Sequence, residues 1–131
     1  MQEKISKQTL SRYRQEIRKI MDDIDRLSSR CLFEDQLIQG SPGEVFRKCG
    51  KPNCKCMGKK EDRHGPYYVI QIYRAGKQRQ IALKKDQKDL WDKAKHYQFQ
   101  MECAAKLKEC CNKIQDLVNE VIEKRIEEFP K

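Results

Sequence analysis

Aromatic side chains are scarce in this sequence while charged ones are abundant, and this balance excludes a large hydrophobic core. Phe, Trp and Tyr make up 8% of the 131 residues, against 37% for Asp, Glu, Lys and Arg. No apolar run approaches the roughly 18 residues that a membrane span needs, and the first residues do not form the apolar segment of a secretory signal. We therefore expect one small cytoplasmic module with helical extensions.

Groupings of catalytic residues are also absent from the sequence. The chain has two histidines: His64 lies close to a cysteine cluster and His96 lies within a helical pattern, and neither suggests a Ser-His-Asp or Cys-His arrangement. Gly58-Lys59-Lys60 lacks the preceding glycine and the Ser or Thr of a phosphate-binding loop. We therefore predict no enzymatic activity. A metal-dependent nuclease is a weaker alternative, because it needs a histidine that acts as a base.

Cysteines, in contrast, are clustered. Cys49, Cys54 and Cys56 fall within eight residues, and His64 follows Cys56 by eight more. Zinc takes four thiolate or imidazole ligands in a tetrahedron, and cysteines that bracket a tight turn supply them. Between Cys49 and Cys54, Gly50 and Asn53 tolerate a positive φ and Pro52 fixes a negative one. We predict a zinc knuckle with these three cysteines and His64 as ligands. With four protein ligands the zinc would be structural.

Two other interpretations of the cysteines stay open at this point. Free thiols beside a loop histidine would leave three sulfurs where no amphipathic pattern could bury them. Disulfides are disfavoured by the odd total of seven cysteines and by the missing secretory signal. Cys103, Cys110 and Cys111 fall on helix faces, and we expect them to be small core residues.

The apolar pattern predicts an α+β fold in which two helices flank a zinc-stapled β module. Residues 1–39 contain an amphipathic helix at 8–31 with a coiled-coil-like seam. Its seam residues recur in steps of three and four: Leu10, Tyr13, Ile17, Ile20, Ile24, Leu27 and Cys31.

The middle segment, residues 40–85, is predicted to be a three-stranded antiparallel sheet with the knuckle. Gly40-Ser41-Pro42-Gly43 forms a break, and a short strand at 44–48 leads to Cys49. A hairpin follows, with arms at 66–74 and 77–83 joined at Ala75-Gly76. A sheet this small needs an additional stabilising cross-link, here called a staple, which the bound metal ion would supply.

The last segment, residues 86–131, is predicted to be one long helix, because it has no Gly or Pro before Pro130. Both helices leave the β module at their near ends, so we expect them to run antiparallel, with the shorter N-terminal helix covering only the near half. That half has a stripe at Leu90, Ala94, Tyr97, Met101 and Ala104.

The distal half of the long helix has a wider apolar stripe, for which we expect no partner within the chain. We therefore predict a homodimer, or docking on a larger protein, through residues 107–129. The stripe consists of Leu107, Cys110, Cys111, Ile114, Leu117, Val118, Val121, Ile122 and Ile126.

Positive charge is concentrated on the segment with the cysteines. Residues 46–85 contain twelve Lys or Arg and two acidic residues, although the whole chain has a formal net charge of only +9. Such a surplus predicts salt-sensitive binding to nucleic-acid phosphates. Arg74 and Arg79 are candidates for base or minor-groove contacts. The full set of candidate cations is Lys51, Lys55, Lys59, Lys60, Arg63, Arg74, Lys77 and Arg79.

Two tyrosines of the hairpin are further candidates for nucleic-acid contacts. Tyr67 and Tyr73 alternate onto one face, and we expect them beside Arg74, Lys77 and Arg79, where the rings could stack on bases. In the alternative interpretation, the tyrosines only cover the hairpin.

The chain resembles an uncharacterised family of small bacterial and phage- or transposon-associated proteins at two motifs, Cys49-Gly50-Lys51-Pro52-Asn53-Cys54-Lys55-Cys56 and His64-Gly65-Pro66-Tyr67-Tyr68. The resemblance covers about residues 40–100 and includes Gly40-Ser41 before the first strand. The loop Met57–Arg63 is longer than the family pattern. The resemblance implies a role close to transposases or recombinases but no established activity.

We therefore predict a zinc-containing DNA-binding accessory protein that assists a transposase- or recombinase-type DNA transaction, associated with the nucleoid if bacterial. An alternative from a different class is a coiled-coil adaptor that binds another protein and has a structural zinc site. An RNA-binding module is a further alternative, since tyrosines on a hairpin also suit unpaired bases.

Overall fold

A computed structural model describes residues 4–130 and has the predicted α+β architecture. An N-terminal helix is followed by a three-stranded antiparallel sheet and a long C-terminal helix. Short 3-10 turns lie at Lys55–Met57, Lys60–Asp62 and Lys85–Gln87. The main elements are α1 (Lys7–Ser29), β1 (Ser41–Arg47), β2 (His64–Arg74), β3 (Lys77–Ala82) and α2 (Lys88–Lys124).

The chain divides into two compact units. Residues 34–99 form the sheet unit, and the segments on either side of it form the helical unit. The first 12 residues of α2 belong to the sheet unit and the remainder to the helical unit. Within the described residues, neither α1 nor α2 combines the length and the apolar character that crossing a bilayer requires.

The seam predicted for α1 is confirmed. The Ser6 side chain caps the helix by accepting a hydrogen bond from the backbone N–H of Thr9, at 3.1 Å. Leu27 is buried, and the helix ends two residues later, at Ser29. The other seam residues within the helix are half-buried: Leu10, Tyr13, Ile17, Ile20 and Ile24.

The two helices of the helical unit are antiparallel, as predicted, but α1 lies along the distal half of α2. Tyr13, near the start of α1, donates a hydrogen bond to Glu120 at 3.1 Å and accepts one from Lys124 at 2.8 Å. At the other end, Gln100 donates to the backbone carbonyl of Arg30 at 2.8 Å. The expectations that α1 covers only the near half of α2, and that the distal half has no partner within the chain, are therefore wrong.

We attribute this position of α1 to the connecting segment between Ser29, where α1 ends, and Ser41, where β1 begins. This segment is long enough for α1 to lie further along α2 than expected. Cys103 is buried and Cys110 is half-buried, as expected for core cysteines, whereas Cys111 is exposed, so the expectation that it is a core residue is wrong. Met101 and Ala104 are exposed as well. The seam of α2 continues through five half-buried residues, Leu107, Cys110, Ile114, Leu117 and Val121.

The sheet unit has the strand order β1-β2-β3, with both pairs antiparallel. The predicted break at residues 40–43 is wrong in part, because Ser41–Gly43 already pair with β2. The first part of α2 packs on the sheet: the Trp91 indole N–H donates to the Gly43 carbonyl at 3.1 Å, and its ring meets Tyr68 edge-on at 4.9 Å. The buried residues of this small core include Val69, Ile70 and Ala94.

Candidate metal centre

Three cysteines and one histidine of the sheet unit converge on one point. The sulfurs of Cys49, Cys54 and Cys56 and a ring nitrogen of His64 all lie within 4.8 Å of one another. Cys54 Sγ is 3.2 Å from His64 Nε2, and Cys49 Sγ is 3.5 Å from Cys56 Sγ. Around a tetrahedral zinc with bonds of about 2.3 Å, two sulfurs lie about 3.8 Å apart. The four side chains thus have the spacing and the donor chemistry to enclose one metal ion.

A tight turn brings Cys54 back towards Cys49. Gly50 has a left-handed φ of 81°, a conformation that costs glycine little. The backbone N–H of Cys54 then donates to the Lys51 carbonyl at 3.2 Å, with Pro52 in the second position of the turn. Asn53 does not have the positive φ that its residue type permits. The turn was therefore predicted correctly, with glycine alone in the left-handed conformation.

A 3-10 turn at Lys55–Met57 places the third sulfur. Cys56 is fully buried, with 0% exposure, and its sulfur accepts a hydrogen bond from the backbone N–H of Cys49 at 3.3 Å. Cys54 is half-buried, and Cys49 and His64 are exposed. The cluster therefore has a buried side at Cys56 and an open side at Cys49 and His64.

His64 reaches the cysteines because the loop before it is compact. Lys60–Asp62 form a second 3-10 turn, and β2 begins at His64, opposite Arg47 of β1. Gly65 has a φ of 143°, and a Cβ added there would lie 2.7 Å from the Val45 carbonyl oxygen. Only glycine allows this close approach of two backbones next to His64. The longer loop Met57–Arg63 thus does not keep His64 away from the cluster.

The hydrogen bonds within the cluster shift the pKa values of the thiols. The pKa of Cys49 is lowered, first by the backbone N–H of Lys51 and then by the Cys56 side chain. The pKa of Cys54 is lowered by the backbone N–H of Cys56 and then by His64. The Cys49 backbone N–H lowers the pKa of Cys56, but burial and the other two sulfurs outweigh it, so the net shift is upward. Lowered pKa values favour the thiolate, which is the form that binds metal.

The predicted nucleic-acid contacts are mostly solvent-accessible. Arg63 differs from the rest, because it is half-buried and its Nε is buried without a hydrogen-bond partner among residues 4–130. The exposed candidates are Lys51, Lys55, Lys59, Lys60, Tyr67, Tyr73, Arg74, Lys77 and Arg79.

The register of the hairpin separates the tyrosines from the arginines. Tyr73 lies opposite Gln78, and Ile72 lies opposite Arg79. Successive side chains of a strand point to opposite faces, and paired residues share a face. One face, here called the amide face, has Tyr67, Gln71, Tyr73, Gln78 and Gln80, and the other has Arg74, Lys77 and Arg79. The prediction that Tyr67 and Tyr73 share a face with these cations is therefore wrong.

Sequence reasoning missed the glutamines of the amide face. Gln78 donates a side-chain hydrogen bond to Gln71 at 2.7 Å, and both residues line a cavity at the start of β1. The signal was present in the sequence, because a two-residue turn at Ala75-Gly76 fixes Gln78 opposite Tyr73. The contribution of Gln39 and Tyr97 to the same cavity depends on tertiary packing, which no local pattern predicts.

Comparison with known proteins identifies a family without an assigned activity. No curated protein and no solved structure matches the chain significantly. A family model described as a domain of unknown function, DUF6788, matches residues 10–91. This match includes most of α1, the sheet and all four residues of the Cys/His cluster. Because the model covers more than half of the sequence, the chain belongs to the DUF6788 family.

Proposed function

We propose that this protein is a zinc-containing nucleic-acid-binding accessory protein, with DNA as its first candidate ligand. Cys49, Cys54, Cys56 and His64 hold a structural zinc ion, which orders a strongly cationic module. The donor chemistry supports zinc, because three thiolates and one imidazole are a common zinc set and fill all four positions of a tetrahedron. The zinc then has no position for a substrate, which is consistent with a role in binding rather than catalysis.

The observation behind the nucleic-acid proposal is the concentration of exposed positive charge on the metal-binding module. Residues 46–85 have twelve basic and two acidic residues, and most of the candidate contacts are exposed. Lys51 and Lys55 lie within the knuckle, Lys59 and Lys60 lie in the loop after it, and Arg74, Lys77 and Arg79 lie at the tip of the hairpin. Phosphates bound to these groups would release counterions, so the affinity should fall steeply as salt is raised.

The experiment is a salt titration of DNA binding with matched charge reversals. The variant Lys77→Glu with Arg79→Glu removes two cations from the hairpin tip. The control, Lys106→Glu with Lys108→Glu, makes the same charge change at exposed positions of α2 outside this module. We expect the hairpin variant to lose most of its affinity and to have a shallower salt dependence, while the control stays close to the wild type. Equal losses in both variants would contradict a specific role for the hairpin.

A second candidate function is a coiled-coil adaptor or homodimer, and exposed apolar residues on α2 favour it. Val118 and Ile122 are 39% and 50% exposed, and Cys111 is also exposed. A hairpin of two helices leaves its seam only half covered, and a second copy would complete a four-helix arrangement. We propose residues 107–129 as the face that binds this second copy or a larger protein. The adaptor alternative predicts such a partner in the absence of any nucleic-acid binding.

We also propose a setting for this activity. Assistance to a transposase- or recombinase-type enzyme, in the cytoplasm or on the nucleoid, fits a small DNA-binding protein with a separate helical docking surface. RNA is the alternative ligand, because the same cations bind its phosphates equally well. Binding assays with both nucleic acids at matched salt distinguish the two.

A further inference from the structure

A cavity of about 270 Å³ opens where β1 begins. Ser41, the first residue of β1, pairs with Gln71, so Ile72 and Tyr73 continue β2 past the end of its neighbour. All of the described residues that line the cavity are uncharged. The lining has a wall of amide and hydroxyl groups and two aromatic rings, contributed by Gln39, Ser41, Gln71, Gln78, Tyr73 and Tyr97.

The cavity lies against closely packed structure. Gly40 also lines it, and a Cβ added to Gly40 would lie 2.6 Å from Ile70 Cγ2 and 3.1 Å from the Gln71 carbonyl oxygen. At this point the chain therefore passes so close to the Ile70 side chain and the Gln71 carbonyl that a side chain larger than that of glycine would require a shift. The side-chain oxygen of Gln71 also accepts the 2.7 Å hydrogen bond from Gln78, and both side chains are exposed. This bond pairs two amides within the polar wall.

The lining suits a neutral, planar ligand with hydrogen-bonding edges. A glutamine amide presents a donor and an acceptor side by side, which matches the paired donor and acceptor on the edge of a base. Tyr73 is 77% exposed at the mouth of the cavity, and exposed tyrosines on small sheets stack on unpaired bases. A phosphate, in contrast, would find no cation among the side chains that line this cavity.

The two faces of the hairpin then have complementary roles. Arg74, Lys77 and Arg79 lie on the face opposite Tyr73, whereas Ile72, which shares the face of Arg79, also lines the cavity. The cavity therefore lies at the end of the sheet between the two faces, and phosphates bound to these cations would lie to one side of a base that stacks on Tyr73. A duplex presents its phosphates outward and keeps its bases stacked inside, so it cannot place a base in the cavity without unpairing it. A single strand can direct its phosphates and its bases to different sides.

We propose that this cavity binds one base of a single-stranded nucleic acid whose phosphates contact the flanking cations. The inference rests on the proposed function, which it narrows from nucleic acids in general to unpaired strands. Tyr73 stacks on the base, and the amides of Gln71 and Gln78 contact its edge. The cations supply the affinity for the backbone, and the cavity supplies the preference for an unpaired strand.

The test is fluorescence anisotropy with the zinc-loaded full chain and four labelled ligands of equal length at one salt concentration. The ligands are a DNA single strand, an RNA single strand of the same sequence, the corresponding DNA duplex, and a DNA strand with abasic sites in place of its bases. We expect the intact single strands to bind at least about tenfold more tightly than the duplex and the abasic strand, since stacking one base contributes about that factor or more. The DNA and RNA arms show which strand is preferred.

A matched pair of variants assigns that preference to the cavity. Tyr73→Leu removes the ring from an exposed position and should reduce single-strand affinity to the level of the abasic strand, while Tyr73→Phe keeps the ring and should retain the preference. Equal affinities for all four ligands, unaffected by Tyr73→Leu, would overturn the base cavity and leave the cationic phosphate contacts standing. The absence of binding to every ligand would overturn the proposed function and this inference together.

Discussion

Cys54 and His64 approach to 3.2 Å between Sγ and Nε2, although they are ten positions apart in the sequence. Two short 3-10 turns and the start of β2 close this loop. A contact between a thiol and an imidazole, with two more sulfurs within 4.8 Å, is a geometry that can hold a metal ion. We propose that one metal ion fixes this loop and, through it, the cationic module.

Loss of one metal ligand should unfold the sheet unit more than the helical unit. We expect Cys54→Ser to abolish stoichiometric metal binding and to remove the hydrogen-exchange protection of β2 and β3, because so small a sheet needs the metal as a staple. Most of the helical circular dichroism should remain, since α1 and the distal part of α2 form a separate compact unit. Cys111→Ser, at an exposed cysteine outside the cluster, is the control. Full protection of the hairpin from hydrogen exchange in Cys54→Ser would contradict the idea that the metal ion stabilises the sheet.

A methyl group at Gly65 should destabilise the sheet unit. Gly65 has a φ of 143°, and an added Cβ would lie within 2.9 Å of both the Val45 carbonyl oxygen and Phe46 Cδ1. We expect Gly65→Ala to cost about 1–3 kcal/mol of unfolding free energy and to weaken metal binding, because the backbone next to His64 must shift. Gly58→Ala, where the nearest atom is an ordinary 3.5 Å away, serves as the control in denaturant titrations. Similar free energies of unfolding for the two variants would show that Gly65 does not lie as close to Val45 and Phe46 as described.

The hairpin turn contains strain that a single substitution should relieve. Ala75 and Gly76 have φ values of 53° and 75°, the two positive angles of a type I′ turn, whose first position favours asparagine. We expect Ala75→Asn to stabilise the protein by about 0.5–1 kcal/mol, because alanine is disfavoured in the left-handed region. Gly76→Ala should have the opposite effect. Thermal unfolding of the zinc-loaded protein measures both, and a lower midpoint for Ala75→Asn would show that the turn is not strained.

Charge on the exposed stripe of α2 should prevent self-association. We expect the wild-type chain to sediment as a dimer at tens of micromolar, on the order expected for a modest helical interface, and Val118→Glu with Ile122→Glu to sediment as a monomer. Both residues are exposed, so the variant should keep its helical content. Asn112→Glu, at an exposed polar position of the same helix, should remain dimeric. A monomeric wild type would contradict the homodimer and would favour a different protein as the partner of the stripe.

The elements and the four residues of the Cys/His cluster could be predicted from the sequence because both depend on local patterns. Steps of three and four identify the seam of α1, and cysteines clustered around Gly50 and Pro52 indicate that their side chains converge, without knowledge of the fold. The contact between Tyr13 and Glu120 could not be predicted in this way. A heptad seam looks the same after a shift of seven residues, and the alignment of α1 with α2 depends on the path of the chain between Ser29 and Ser41.

The residues of the two hairpin faces could be predicted from the sequence, whereas the residues of the cavity could not. Strand alternation and a two-residue turn suffice to place Tyr73 with Gln78 and Ile72 with Arg79. Closeness along the chain suggests that the tyrosines and arginines share a face, but the pairing across the hairpin places them on opposite faces. Gln39 and Tyr97 come from segments outside the sheet, so their place beside Gln71 follows only from tertiary packing.

Elemental analysis of the purified, reduced protein shows whether the Cys/His cluster holds a metal ion. If a bound metal ion orders the sheet unit, we expect about one zinc ion per chain, retained through gel filtration and lost in Cys54→Ser but not in Cys111→Ser. A wild-type chain that holds no stoichiometric transition metal, and whose hairpin is nevertheless protected from hydrogen exchange, would contradict this role of the metal ion.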